Sequence, residues 1–324
     1  MGPHDRGVLA RGDDDHHELA PLIRAAQAFA EHARAPRTLA AYRQQWRVFA
    51  TWCSARGLAA LPAMPATVAL FLAARAEEGR KVATLAQALA AISEAHKLAG
   101  HSSPCTAPVV RETWKGIRRT IGSAQRRVAP VLVEDLRAVI GRLPQTLRGA
   151  RDRALLTLGF AGAFRPTELC ELEVSDVAFV EDGLTVTIRR SKTDADGIGA
   201  TVGIPFGAQP STCPVRSVRA WLETAAIVEG RVFRSVSRHE RIAGPLCRRD
   251  VARLVKARVI GAGLDPAVYS GHSLRAGLAT SAARAGKPDR AIMAQGRWRS
   301  RSMVDRYVRE ASLFRDNAAA GIGL

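Results

Sequence analysis

Three short segments in the second half of the chain collect residues able to handle an anion. Residues 163–172 hold Arg165 and Glu168, residues 271–286 hold His272 and Arg275, and residues 296–310 hold Trp298 and Tyr307. His272 and Arg275 are three apart at the start of a helical pattern, so they share one face. At a helix N-terminus that pair would meet an anion together with free backbone amides. Met303, Val304, Tyr307 and Val308 form an apolar stripe, which makes Tyr307 partly buried on a helix flanked by Arg301, Arg306 and Arg309. Singly, each residue has a plainer reading. Arg165 before Pro166 suits a surface, His272 a hydrogen-bonded core, and Trp298 and Tyr307 ordinary packing. Their order and spacing set them apart.

The rest of the chain says what these residues work on. Lys and Arg total 48 against 30 Asp and Glu, a net charge of +18 and a pI near 11.0. Such a chain is drawn to a nucleic acid or an anionic surface. The longest apolar run, around Ala66–Ala74, falls far short of the ~20 residues a spanning helix needs. The first 20 residues read as a flexible tail without the apolar core of a signal peptide, and Arg6 stands where a myristoylation signal takes Ser or Thr. Cys53, Cys105, Cys170, Cys213 and Cys247 are scattered without paired spacing. They read as reduced thiols in a cytoplasmic protein, with no zinc site. His16 and His17 in the tail read as solvated.

The elements that must position the chemistry divide into two domains. In Leu39, Tyr42, Trp46, Phe49 and Cys53 the spacing alternates three and four, so one helical face is apolar. Pro62 and Pro65 interrupt, and Val68–Ala76 resumes the helical reading. Val82, Leu85, Leu89 and Ile92, then Val110, Trp114, Ile117 and Ile121, repeat the pattern. Residues 21–121 are therefore expected to form a bundle of four or five helices. Residues 122–130, with Gly, Ser, two Arg and a Pro, read as a linker, either crossing a phosphate backbone or simply solvated. Residues 131–324 read as mixed. Helices are expected at 132–143, 151–160, 214–224, 246–260, 272–285 and 300–309. Between them Leu184, Val186 and Ile188 alternate as a half-buried strand, residues 201–206 return, and Lys192 lies near the hairpin tip. The fold class is mainly α with a small antiparallel β-sheet.

In order and spacing these residues resemble the tyrosine recombinases, the phage-type integrases, most closely their Cre-like branch. The family pattern is Arg with an acidic residue three on, a Lys in a β-hairpin, H-x-x-R, His or Trp, then Tyr. Arg165, Glu168, Lys192, His272, Arg275, Trp298 and Tyr307 fill it. From His272 the steps are three, twenty-three and nine residues. Trp298 replaces the His of many members, as in the Cre-like branch. The resemblance covers the catalytic half and extends weakly into the helical half.

The resemblance implies a two-domain DNA clamp and strand cleavage without metal, ATP or other cofactor. Arg165 and Arg275 would hold the non-bridging oxygens of a phosphodiester and stabilise the pentacovalent transition state. Tyr307 would attack phosphorus and keep the bond energy as a phosphotyrosine. Lys192 would protonate the leaving 5′ oxygen. His272 would accept the tyrosyl proton or bond the phosphate, Trp298 would donate its N–H, and Glu168 would orient its neighbours. Arg37, Thr38, Arg43, Gln44, Thr84 and Gln87 would face a major groove. Arg80, Lys81 and Arg126 would meet phosphates, and Arg249 would occupy a base-reading position. The implied partners are double-stranded DNA with inverted-repeat sites and three further copies of the chain, joined through the C-terminal tail. In a bacterium that DNA-bound state would lie at the nucleoid. Two other readings share the scaffold: a DNA-binding protein that does not cut, and a type IB topoisomerase. Occupied catalytic positions oppose the first; the helical N-terminal half and short tail oppose the second.

Overall fold

The structure, a computed structural model, describes residues 36–122, 128–189 and 199–312. Contacts divide the chain into two units, Met1–Gln125 and Arg126–Leu324. Among the described residues no helix is long and apolar enough to cross a membrane.

The first unit is helical: α1 (Pro36–Ser54), α2 (Pro65–Glu77), α3 (Val82–Leu98) and α4 (Pro108–Ile121). Pro65 and Pro108 open their helices, where a missing N–H costs nothing. Phe49, Val68, Phe71, Leu72, Leu85, Ile92 and Val110 fill the core. Phe49 and Trp52 both meet the Phe71 ring edge-on, at centroid distances of 5.1 and 5.5 Å. His96 is a satisfied core histidine. Its Nε2 accepts from the Ala63 amide at 2.8 Å, and its Nδ1 bonds the Ile92 carbonyl at 2.8 Å. The tail residues 1–20, with His16 and His17, lie outside the described residues.

The second unit is mixed, as its patterning predicts. Its helices are α5 (Val133–Gly141), α6 (Leu147–Ala161), α7 (Pro166–Glu171), α8 (Pro214–Thr224), α9 (Arg248–Gly261), α10 (Ser273–Arg284), α11 (Asp289–Gly296) and α12 (Ser302–Ser312). The expected hairpin forms. Strands β2 (Gly183–Ile188) and β3 (Ala200–Pro205) pair antiparallel from Gly183↔Pro205 to Ile188↔Ala200. Leu184, Val186 and Ile188 turn inward, as the period of two requires. Residues 190–198, Lys192 among them, lie outside the described residues.

Three strands and one helix carry no clear signal in the sequence. Strand β1 (Val177–Val180) pairs with β2 but exposes three of its four residues, so nothing alternates. Strands β4 (Arg234–Val236) and β5 (Ile242–Pro245) form a short ribbon rich in Arg, Gly and Pro. Helix α11 spans eight residues and buries only Ile292 and Gly296.

Two features hold this unit around α6 and α10. Residues 129–131 strap onto it: the Ala129 amide donates to the Val268 carbonyl at 2.8 Å, and the Val131 amide to the Ser273 carbonyl at 3.0 Å. The strap lies so close that a Cβ on Gly277 would sit 1.9 Å from the Val131 oxygen. Only glycine allows that approach. The second feature is a buried ion cluster. Asp152, 1% exposed, accepts from Arg151 Nε at 2.7 Å and Arg258 Nε at 2.6 Å, tying α6 to α9. Arg151 also donates to the Arg234 carbonyl on β4.

Breaking a buried pair by removing one partner leaves charge uncompensated, at about 3–5 kcal/mol. Asp152→Ala should cost the second unit roughly that much, read as a lowered midpoint in urea or thermal unfolding. A loss below about 1 kcal/mol would mean that the cluster is solvated rather than structural.

Candidate active site

The site begins where α6 ends. Ala163, fully buried, takes the left-handed backbone conformation (φ 46), at a cost of about 1–2 kcal/mol for a residue with a Cβ. The turn aims the Ala163 carbonyl at two guanidiniums. Arg275 Nη1 donates to it at 2.5 Å and Arg297 Nη2 at 3.4 Å. Two residues on, Arg165 is extended and caps α7, with Pro166 opening that helix.

Glu168, on the first turn of α7, joins the cations. Its Oε2 accepts from the Arg165 amide at 2.8 Å, and its Oε1 from Arg165 Nη1 at 2.5 Å. Arg297 Nη2 donates to Oε2 at 2.9 Å. The Glu168 side chain is 2% exposed and both arginines 11%. Glu168 is thus in direct contact with both Arg165 and Arg297.

Arg275, on the first turn of α10, is buried. Beyond the Ala163 carbonyl it lies on the Trp298 ring, 4.2 Å from its centroid. A desolvated cation–π contact is worth about 2 kcal/mol. Its Nη2 is covered and has no hydrogen-bond partner among the described residues. Burial, with Arg165 and Arg297 beside it, pushes this guanidinium down to about 9, so it remains charged at neutral pH. His272, one turn earlier, is exposed at the helix start. The two share a helical turn but not an environment, because Ala163 and Trp298 draw Arg275 inward.

Trp298 and Tyr307 pack together at 5.9 Å between ring centroids. Beneath them lie Ala279, Ile292 and Val304, and Tyr307 is half-buried. Met303 departs from the expected apolar stripe. It is 41% exposed, and Val304 alone turns fully inward. Arg306 covers the Tyr307 ring at 4.4 Å, and its Nη2 donates to the phenol oxygen. Gln295 anchors the preceding helix, donating to the carbonyls of Ala161 at 2.8 Å and Gly203 at 3.1 Å.

Six of the seven expected catalytic residues therefore have described positions in the second unit. Arg165, Glu168, Arg275, Trp298 and Tyr307 form one chain of contacts, running Arg165–Glu168–Arg297 and then through the shared Ala163 carbonyl to Arg275, Trp298 and Tyr307. The arrangement gathers three guanidiniums around a single carboxylate, so it carries excess positive charge suited to a phosphate. Arg297, Gln295 and the Ala163 carbonyl were not legible beforehand. Arg297 sits in an arginine-rich run, and only its left-handed backbone (φ 55) distinguishes it.

Among the described residues, the expected DNA-contacting side chains other than Thr84 are exposed. Arg37, Thr38, Arg43 and Gln44 project from α1, and Arg80 and Lys81 precede α3. Gln87 is exposed on α3 while Thr84 is half-buried; Arg249 is exposed on α9. Arg126 lies outside the described residues.

A profile of the phage integrase family matches residues 133–313, and one of the phage integrase N-terminal SAM-like domain matches 27–101. The chain is 39% identical over 293 residues to the integrase/recombinase xerD homolog of Selenomonas ruminantium, covering 89% of this chain and 86% of that one. To the recombinase cre of Escherichia phage P1 it is 24% identical over 324 residues, covering 93% and 91%. The fold is similar to that of lambda integrase residues 75–356, solved as a dimer bound to a COC′ core site. The TM-score is 0.59 at 20% identity, over 90% of this chain and 94% of that one.

The last turn of α11 supports the tryptophan closely. A Cβ on Gly296 would lie 1.8 Å from the Trp298 ring. Gly296→Ala should therefore displace Trp298 from Arg275 and lower the unfolding midpoint by several degrees. Near-ultraviolet circular dichroism and thermal unfolding would read both; unchanged spectra and midpoint would show that the ring is not so confined.

Proposed function

We propose a mechanism on one premise: this chain belongs to the phage integrase family, the tyrosine recombinases, which are DNA strand-transferring enzymes. The chain breaks and rejoins DNA at specific sites through a 3′-phosphotyrosine on Tyr307, with neither metal nor ATP. The observation that carries this reading is Arg275. It is a buried cation with one amino group on the Ala163 carbonyl and the other without a partner among the described residues, stacked on the tryptophan that touches Tyr307. A buried donor left unmade costs about 1–3 kcal/mol, and a phosphate oxygen would satisfy it.

Each residue then has a task. Arg165 and Arg275 hold the non-bridging oxygens and stabilise the charge that develops on them. Tyr307 attacks phosphorus as the bond to the 5′ oxygen breaks, and that oxygen takes a proton from Lys192 on the β2–β3 connection. His272 takes the tyrosyl proton or bonds the phosphate. Trp298 donates its indole N–H and packs α12 in place. Rejoining reverses the same steps, because the phosphotyrosine keeps the energy of the broken bond.

The domain assignment proposed with it is a tail at 1–20, a helical DNA-binding domain at 21–121, a basic linker at 122–130, and a catalytic domain at 131–324. Both domains contact the duplex. Arg37, Thr38, Arg43, Gln44, Thr84 and Gln87 face a major groove, Arg80, Lys81 and Arg126 meet phosphates, and Arg249 reads a base. Four copies act on two inverted-repeat sites in the cytoplasm, at the nucleoid. Residues 313–324 of each copy, which include Leu313, Phe314, Ile322 and Leu324, dock on a neighbour. An apolar groove of about 670 Å³ in the second unit, lined by Val133, Leu136, Phe160, Phe206, Leu278 and Ile292, supports that reading.

The deciding experiment is covalent trapping on a nicked suicide substrate, read on a denaturing gel. The native chain should form a protein–DNA band and Tyr307→Phe none. A band from the Phe variant would remove Tyr307 from the nucleophile role, and no band from either would favour a DNA-binding protein that does not cut.

Replacing the 5′ bridging oxygen by sulfur separates the remaining roles, because a thiolate leaves without a proton. Lys192→Ala should be crippled on ordinary DNA and largely rescued on the sulfur substrate. Arg275→Ala should be slowed about 100-fold or more on both, as loss of a preorganised donor costs about 3 kcal/mol. Equal rescue of both variants, or no rescue of Lys192→Ala, would overturn the assignment of the acid.

A further inference from the structure

Arg297 was absent from the residues expected to do chemistry, yet its guanidinium makes four hydrogen bonds, an ion pair and a ring contact at the site. It follows Gly296 at the end of α11 with left-handed backbone (φ 55, ψ 43). A residue with a Cβ is strained there, and glycine is not. The strain is held in place by what the side chain does. Nη1 donates to the carbonyls of Gly162 and Gln295, both at 3.1 Å. Nη2 donates to the Ala163 carbonyl at 3.4 Å and to Glu168 Oε2 at 2.9 Å. The guanidinium lies over the Phe164 ring, 5.0 Å from its centroid.

This fork differs from that of Arg275 in what it leaves unused. The four hydrogens on the two amino groups of Arg297 all meet acceptors, and only a covered Nε lacks one among the described residues. It has no amino hydrogen to offer a phosphate. Its acceptors are the atoms that set the other two arginines: Glu168, which holds Arg165, and the Ala163 carbonyl, which holds Arg275. Its own carbonyl carbon is bonded to Trp298, the platform beneath Arg275.

We infer that Arg297 is a positioning residue for strand cleavage: it fixes Glu168 and the Ala163 carbonyl, and through them the two arginines that meet the phosphate. The inference rests on the reaction proposed above. Its side chain acts on the rate of the chemical step and not on the grip on DNA, which other surfaces provide.

The test uses the full chain and three substitutions. Arg297→Gly relieves the backbone and removes the fork, while Glu168 keeps Arg165 as a partner, so the protein should still fold, with a lowered unfolding midpoint. Arg297→Lys keeps one charge, and Glu168→Gln removes the carboxylate charge and one of its two acceptor oxygens. Single-turnover formation of the covalent complex should fall at least 30-fold in Arg297→Gly and less in Arg297→Lys, while DNA affinity stays within about threefold. On a Glu168→Gln background the glycine substitution should cost several-fold less than on the native chain, because part of its effect runs through Glu168 and the rest through the Ala163 carbonyl. Full additivity, or affinity falling as far as rate, would overturn the inference. So would cleavage by Arg297→Gly within threefold of native.

A native chain that forms no covalent complex would instead sink the reaction itself. The positioning of the arginines stays testable by binding of orthovanadate, read as thermal stabilisation without DNA. Its affinity should weaken at least tenfold in Arg297→Gly, and equal affinity in both proteins would overturn the inference. If Arg297→Gly does not fold, Arg297→Asn, which tolerates the same backbone, takes its place in every arm.

Discussion

The carboxylate of Glu168 is buried among guanidiniums, taking Arg165 on one oxygen and Arg297 on the other. A lone carboxylate so removed from water would protonate or pull its helix to the surface. Arg275, Arg165 and Arg297 packed together without it would repel one another. The cluster holds because each charge depends on the rest: one anion makes three cations tolerable, and they still exceed it. Arg275 bears the remainder, with its guanidinium pushed down by burial and by the neighbouring cations. The second unit thus keeps an unspent positive charge in its interior, beside Tyr307.

Keeping such a cluster in register needs backbone that cannot drift. Two residues with side chains adopt left-handed conformations here, Ala163 and Arg297, and both contribute to the same hydrogen-bonded knot. Strain of about 1–3 kcal/mol persists at such points only where the surroundings over-determine it. Helix α10 is pinned from the other side by the 129–131 strap, which approaches it through Gly277. The bridge Arg151–Asp152–Arg258 fixes α6 to α9, so the turn at Ala163 starts from a helix that is itself held. The site is therefore assembled from the ends of α6, α7, α10 and α11, each tied by polar contacts to a neighbour.

Much of this was legible in the residues, and the rest was not for definite reasons. Periodicity located α1 to α4 and the β2–β3 hairpin, because one face of each element is apolar and the other is not. It missed β1, which exposes three of its four residues, and α11, which is short and fully buries only Ile292 and Gly296, and it placed Met303 inside when that side chain is solvated. Spacing picked out Arg165, Glu168, Arg275, Trp298 and Tyr307, which do meet through a chain of contacts. It could not separate His272 from Arg275 by burial, since a shared face says nothing of what packs on it. Arg297 escaped because composition hides one arginine among many, and a left-handed backbone leaves no mark on the sequence when the residue is not glycine or asparagine.

The contrast between two arginines shows how a protein can store a charge and still be stable. In Arg297 both amino groups are spent on protein acceptors, so the side chain is a strut. In Arg275 one amino group is spent and the other has no partner among the described residues. If the unspent donor were satisfied by a protein carbonyl, the unit would be more stable and the phosphate would compete for it. If Arg297 were the one left open, the strut would lose its geometry. Dividing the arginines into one that is complete and one that is incomplete keeps the fold rigid while leaving a defined deficit. In the reaction proposed above, a phosphate oxygen arriving at Arg275 would remove that deficit, so the binding energy of the anion would be drawn from the place where the chain was destabilised by folding. As negative charge grows on the oxygens during the proposed attack by Tyr307, the same donor and the same cationic excess would stabilise it more than they stabilised the ground state.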